Sequence, residues 1–136
     1  MRDEQVYLYV EDDPLSREAL QIVLRRVMGA ERVYIFPDSV EFMSRIKALP
    51  DRPDIILLDI HLQPYSGFEL LKMLREDPDY RAARVIALTA SVMNEEVELL
   101  KQSGFDGVIG KPIQVATFPN LMKLVSNGEL IWHISD

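Results

Sequence analysis

The chain has 136 residues, 48 % apolar and 27 % charged, a composition that supports one folded core and excludes disorder. Its 22 Asp and Glu outnumber 15 Lys and Arg, and the net charge of −7 excludes the basic footprint that nucleic acid or an anionic membrane surface requires. Cysteine is absent, which removes disulfides, thiol nucleophiles and cysteine metal sites and fits a reducing, cytoplasmic setting.

The first apolar run, Val6 to Val10, reads as a buried strand. Asp13-Pro14 then starts a helix, with Asp as cap and Pro in the first turn. Leu15, Ala19, Val23 and Val27 recur along it, with Leu20, Leu24 and Met28 beside them, and Gly29 ends it. Arg32 to Phe36 is the second strand. Asp38-Ser39-Val40-Glu41 has the pattern of a capping box before a helix that buries Phe42, Ile46 and Leu49. Pro50 and Pro53 break the chain before Asp54 to Leu58, a run apolar enough for a central parallel strand. Ser66-Gly67-Phe68-Glu69 is a second capping box, opening a helix through Leu70, Leu71 and Leu74. Arg84 to Leu88 is the fourth strand. A helix starting within Ser91 to Glu95 runs to Ser103, where Gly104 stops it. Gly107 to Gly110 is a weak fifth strand, and the last helix lies within Ala116 to Val125, starting near Thr117 and Pro119.

Strict alternation of strand and helix implies an α/β fold, a parallel sheet of five strands with helices on both faces. Residues 1–128 form the domain, and 129–136 are a C-terminal tail, read as part of a complete stand-alone protein although a fragment of a larger one would look the same. Trp132 in the tail is expected to pack on the domain, and His133 to be a surface residue.

Ligands of an open parallel sheet bind beyond the carboxyl ends of its strands. There the chain carries Glu11, Asp12 and Asp13, then Asp59, then Thr89 and Ala90, then Lys111 and Pro112. Three carboxylates, Glu11, Asp12 and Asp59, repel one another, and a hard divalent cation relieves this; oxygen-only ligation suits Mg²⁺. A Lys ammonium and a Thr hydroxyl opposite would bind phosphoryl oxygens. Asp59 is then placed to act as a nucleophile that forms an acyl phosphate. Each piece alone has an ordinary reading as a cap, a loop residue or a turn; four of them at four different strand ends do not.

These pieces resemble the receiver domain of response regulators in two-component signalling, from Val6 to about Val125. The carriers are Val10-Glu11-Asp12-Asp13-Pro14, Leu57-Leu58-Asp59 with Gly67 following, Leu88-Thr89-Ala90 and Gly110-Lys111-Pro112-Ile113. The resemblance implies strand order 2-1-3-4-5. It implies that Asp59 is the phosphoacceptor and that Asp12, Asp59 and the backbone carbonyl of His61 bind Mg²⁺, with Glu11 acting through water. Thr89 and Lys111 hold the phosphoryl group, and the Lys111-Pro112 bond is cis. The implied donor is a phosphohistidine on a sensor histidine kinase or a histidine phosphotransfer protein. The output partner docks on the face between the fourth and fifth helices, and a homodimer stays open. The domain is then a switch and not an enzyme, with slow loss of its own acyl phosphate, at a rate set by His61 and Ser91 flanking the attacking water. The sequence departs from the family at Val108, where an aromatic switch residue is usual; Phe105 and Tyr65 are the candidate substitutes.

Two other readings compete. One is a receiver-like binding module without phosphotransfer, which normally lacks the acceptor, the lysine or the acidic pair. The other is a Mg²⁺-dependent phosphohydrolase, which wants an acidic residue where His61 stands. Asn94-Glu95-Glu96 reads as a solvated helix start favoured by the dipole. Lys111, at a strand end, is expected to matter for the response to phosphorylation more than for folding.

Overall fold

The structure, a computed structural model, describes residues 4–90 and 93–133. In chain order the elements are β1 (Val6–Val10), α1 (Pro14–Ile22), β2 (Arg32–Phe36), α2 (Phe42–Lys47), β3 (Ile55–Asp59) and α3 (Gly67–Arg75). They continue with β4 (Arg84–Thr89), α4 (Asn94–Ser103), β5 (Gly107–Gly110), α5 (Phe118–Ser126) and β6 (Ile131–His133). All sheet pairings are parallel, in the order β2-β1-β3-β4-β5-β6. The fold is therefore the expected flavodoxin-like arrangement with one strand added at its edge. The order reverses between β1 and β3, so the ends of these two strands border a crevice.

The side-chain alternation of the strands divides the core in two. Leu8, Val10, Ile56, Leu58, Val85, Ala87 and Val108 point to one face and meet Phe42, Ile46, Leu70, Leu74, Val97 and Leu100 of α2, α3 and α4. Tyr7, Tyr9, Ile55, Leu57, Ile86, Leu88 and Ile109 point to the other and meet Leu20, Leu24, Phe118, Met122 and Val125 on the α1 and α5 side. No helix among the described residues is long and apolar enough to cross a membrane.

Local structure departs from the sequence expectation in three places. The first helix does not bury Leu15 or Val27, which are 76 % and 53 % exposed; Leu20, Val23, Leu24 and Met28 form its buried face. For Val27 the cause is a π-helical turn over Val23–Val27, in which the Met28 N–H donates to the Val23 carbonyl and the wider turn swings Val27 outward. The capping box at Asp38 to Glu41 does not form. Asp38 Oδ1 accepts from the Val40 N–H at 3.0 Å and from Arg45 at 2.8 Å, and Ser39 is buried against the backbone of Tyr65, so α2 starts only at Phe42. The Ser66–Glu69 box does form, with both reciprocal bonds.

The third departure is β6. The tail lies in register along β5, with Ile131, Trp132 and His133 opposite Gly107, Val108 and Ile109. Gly107 permits this, because a Cβ there would stand 2.6 Å from Ile131 Cγ1 and closer still to the Ile131 carbonyl oxygen. Ile131 is buried, and Trp132 is half-buried with Lys101 Nζ 5.1 Å from its ring centroid. Gly107→Ala is expected to detach β6, to lower stability by about 1–3 kcal/mol through exposure of Ile131, and to shift Trp132 emission to the red. Unchanged emission and stability would contradict the pairing.

Candidate functional site

Among the described residues four buried side chains are polar or charged: Glu11, Ser39, Asp59 and Thr89. Burying such groups costs free energy unless they are partnered. Three of the four lie at or just beyond the carboxyl ends of β1, β3 and β4, which puts that cost at one place in the fold. Asp59 is the last residue of β3 and sits opposite Leu88, one residue before Thr89. The N–H of Lys111 donates to the Thr89 carbonyl at 2.8 Å, which ties the β5–α5 loop to the end of β4. Gly67 lets α3 close on the same strand end, since a Cβ there would meet the Asp59 carbonyl oxygen at 2.9 Å.

Carboxylate oxygens of Glu11, Asp12 and Asp59 all lie within 4.8 Å of one another, with Asp12 exposed and the other two buried. Lys111 Nζ donates to Glu11 Oε1 at 2.7 Å and lies 3.8 Å from Asp59 Oδ2. Glu11 also accepts from the Tyr9 hydroxyl at 2.9 Å and from the Asp13 N–H at 3.2 Å. Burial works against the charge on Glu11, but the bonds from Lys111, Asp59 and Tyr9 outweigh it and hold its carboxyl below the usual range. Asp59 goes the other way. Burial, and then Glu11 beside it, push its carboxyl up to about 6, against the opposing His61 N–H and Lys111. Burial together with Glu11 pushes the Tyr9 phenol up, so it stays a donor. Two carboxylates facing one lysine, with a third at the rim, form an electrostatically unsatisfied oxygen cluster that can hold a metal ion.

The strand ends thus bring together Glu11, Asp12, Asp59 and Lys111, with Thr89 at the adjoining end of β4. Asp13 caps α1, accepting from the Ser16 N–H at 2.9 Å. The side chain of His61 is exposed, while its N–H donates to Asp59 Oδ1 at 3.2 Å. The Lys111-Pro112 bond is cis, and so is Gln63-Pro64. Ser91 lies outside the described residues. Val108 is fully buried; Phe105 is also buried, stacked edge-on against Phe68, and Tyr65 is exposed, its backbone held by Ser39. Two participants carry no sequence signal strong enough to find. Tyr9 is visible only as a residue two before Glu11 on one strand face. Glu96, expected in a solvated helix start, is half-buried and accepts the Thr89 hydroxyl at 2.9 Å.

Similarity to known proteins agrees with this geometry. The sequence matches the response regulator receiver domain family over residues 7–123. A curated relative, the polar-differentiation response regulator DivK of Brucella anthropi, is 43 % identical over 72 residues, covering 53 % of this chain and 58 % of the relative. The matched segment is thus a little over half of that relative's length. The receiver domain of a Pseudomonas aeruginosa sensor histidine kinase, solved with magnesium coordinated in its active site cleft, is 26 % identical with a TM-score of 0.75, covering 92 % of this chain and 97 % of that one. The receiver domain of a histidine kinase from Syntrophus aciditrophicus is 27 % identical with a TM-score of 0.78, covering 91 % of each chain. The chemotaxis response regulator CheY4 of Vibrio cholerae shares the fold, with a TM-score of 0.76 at 23 % identity over 92 % of this chain and 98 % of that one. With a family match across nearly the whole sheet and an acidic, lysine-paired crevice at its switch point, this chain belongs to the response regulator receiver domain family.

Proposed function

We propose that Asp59 accepts a phosphoryl group from a phosphohistidine on a sensor histidine kinase or a histidine phosphotransfer protein, and that the modified domain changes its affinity for an output partner. The observation that carries this reading is a buried carboxylate at the end of the central strand with one lysine and two further carboxylates converging on it. The Asp59 carboxylate forms the O–P bond as the N–P bond of the donor breaks, and the electron pair stays on the ring nitrogen. A donor ring protonated on its other nitrogen leaves as neutral imidazole. Lys111 pairs with the transferred group, and Thr89 donates its hydroxyl to a second phosphoryl oxygen.

The oxygen-only donor set and its excess of negative charge fit Mg²⁺. Glu11, Asp12, Asp59 and the backbone carbonyl of His61 would hold it, and when bound it supplies neutralisation of the charge on the phosphoryl oxygens. The acyl phosphate is lost slowly to water at the same site, so the domain is a switch and not a turnover enzyme. The donor docks beside Lys111, where Tyr9, Leu20, Val23, Pro112 and Ile113 line a cleft of about 230 Å³ rimmed by exposed Leu15 and Val115. The output partner reads the face between α4 and α5, two helices that carry the exposed Leu99 and Leu124.

Incubation with acetyl phosphate followed by intact-mass measurement tests the reading. One added phosphoryl group is expected, mapped to Asp59 and dependent on Mg²⁺. An unmodified chain, or modification that persists without a divalent cation, would overturn it.

A further inference from the structure

Thr89 is wholly buried at the end of β4, and its hydroxyl donates to Glu96 Oε1 at 2.9 Å. Glu96 belongs to the first turn of α4, a helix whose N-cap residue, Met93, makes no side-chain capping bond. The Thr89–Glu96 bond is therefore a tertiary tie on an end of α4 that its own cap does not pin. A hydroxyl carries a single proton, so it can donate to Glu96 or to a phosphoryl oxygen, not to both. Glu95 and Glu96 also place two carboxylates in that turn, which a phosphoryl group nearby repels.

We propose that Glu96 is a positioning residue that holds the Thr89 hydroxyl on α4 in the resting domain, and that a phosphoryl group on Asp59 draws the hydrogen bond of that hydroxyl from Glu96 to its own oxygen and releases the start of α4. This rests on Asp59 being the phosphoacceptor. The consequence runs along the helix: Lys101, further along α4, lies over the Trp132 ring, and Trp132 sits beside Val108 in the added strand. Val108 has no ring to swing, so in this chain the site reports to its far face through α4 and Trp132. Trp132 is also the sole tryptophan, which makes the movement readable by fluorescence.

The test uses the full chain with Mg²⁺ and beryllium fluoride as the phosphoryl mimic. Affinity is read by calorimetry and the conformational response by Trp132 emission. Wild type is expected to bind with a change in emission. Glu96→Ala, which removes the Glu96 acceptor in advance, is expected to bind about tenfold more tightly with a smaller emission change. Glu96→Gln, which keeps an acceptor oxygen without the charge, is expected to fall between the two. Equal or weaker binding by both variants with an unaltered emission change would overturn the proposal. If Glu96→Ala does not fold, wild type alone decides: hydrogen exchange at the start of α4 is expected to rise on binding, and unchanged exchange counts against release. Binding to wild type without a Glu96 effect defeats this proposal alone. No binding to wild type defeats the phosphoacceptor reading and this one with it.

Discussion

Lys111→Met is expected to lower folding stability by about 3–5 kcal/mol at neutral pH, a cost set by the partner it leaves behind. The Glu11 side chain is 1 % exposed and lies 2.7 Å from Lys111 Nζ. Without the ammonium, a buried carboxylate loses its one cationic partner and keeps the Tyr9 hydroxyl, the Asp13 N–H and the neighbouring Asp59 carboxyl. Glu11→Gln in the same chain removes the stranded charge and should restore most of the loss. Urea denaturation of the two single variants and the double variant, in chelator, measures it. The sign with pH follows from Glu11, whose carboxyl is held below the usual range. The pair stabilises the fold above the unfolded carboxylate range and loses that contribution as pH falls through the lowered folded value. The deficit of Lys111→Met should therefore shrink in acid. A deficit under about 1 kcal/mol at pH 7, or no rescue by Glu11→Gln, would refute the pairing. Lys111, expected from its place at a strand end to matter less for folding than for the response to phosphorylation, is through its contact with Glu11 expected to contribute to folding as well.

Asp59→Asn is expected to abolish phosphorylation and, at the same time, to stabilise the metal-free domain by about 1–3 kcal/mol at pH 7. The Asp59 carboxyl is raised to about 6 by burial and by Glu11. Between its unfolded value and about 6 the folded state binds the extra proton, so stability is full below that window and falls as pH rises through it. Above the window the folded domain carries an ionised, poorly satisfied carboxylate that the amide does not. The expected measurement is a chelator-treated wild type that loses stability from pH 4 to pH 7 while Asp59→Asn stays flatter. Added Mg²⁺ should stabilise wild type and leave Asp59→Asn much less affected. A variant less stable than wild type at pH 7 would mean that Asp59 is structurally satisfied and not held in reserve for a ligand.

Much of the architecture is legible without coordinates. The continuous apolar run at Ile55 to Leu58 marks the central strand because both of its faces are covered, and all four residues are fully buried. The Ser66–Glu69 box works because its partners are three residues apart, so local geometry alone satisfies it. The Asp38–Glu41 pattern has the same form and fails, because Asp38 and Ser39 are taken by Arg45 and by Tyr65. Propensity cannot see a competitor supplied from elsewhere in the chain.

The tail shows the same limit. Ile131 to His133 is too short to be read as a strand alone. It becomes one because β5 offers an unpaired edge and Gly107 leaves room for it.

What the sequence determined by itself is the alternation of elements, and hence the strand ends at which Glu11, Asp12, Asp59, Thr89 and Lys111 had to lie. Periodicity and strand-end position are local and survive in one dimension. What only the tertiary structure decided is the charge state and partnership of those residues: Lys111 on Glu11, Asp59 raised, Thr89 on Glu96, and a sixth strand on the edge. Those depend on burial and on distances between groups remote in the chain, and neither quantity exists until the sheet has closed around them.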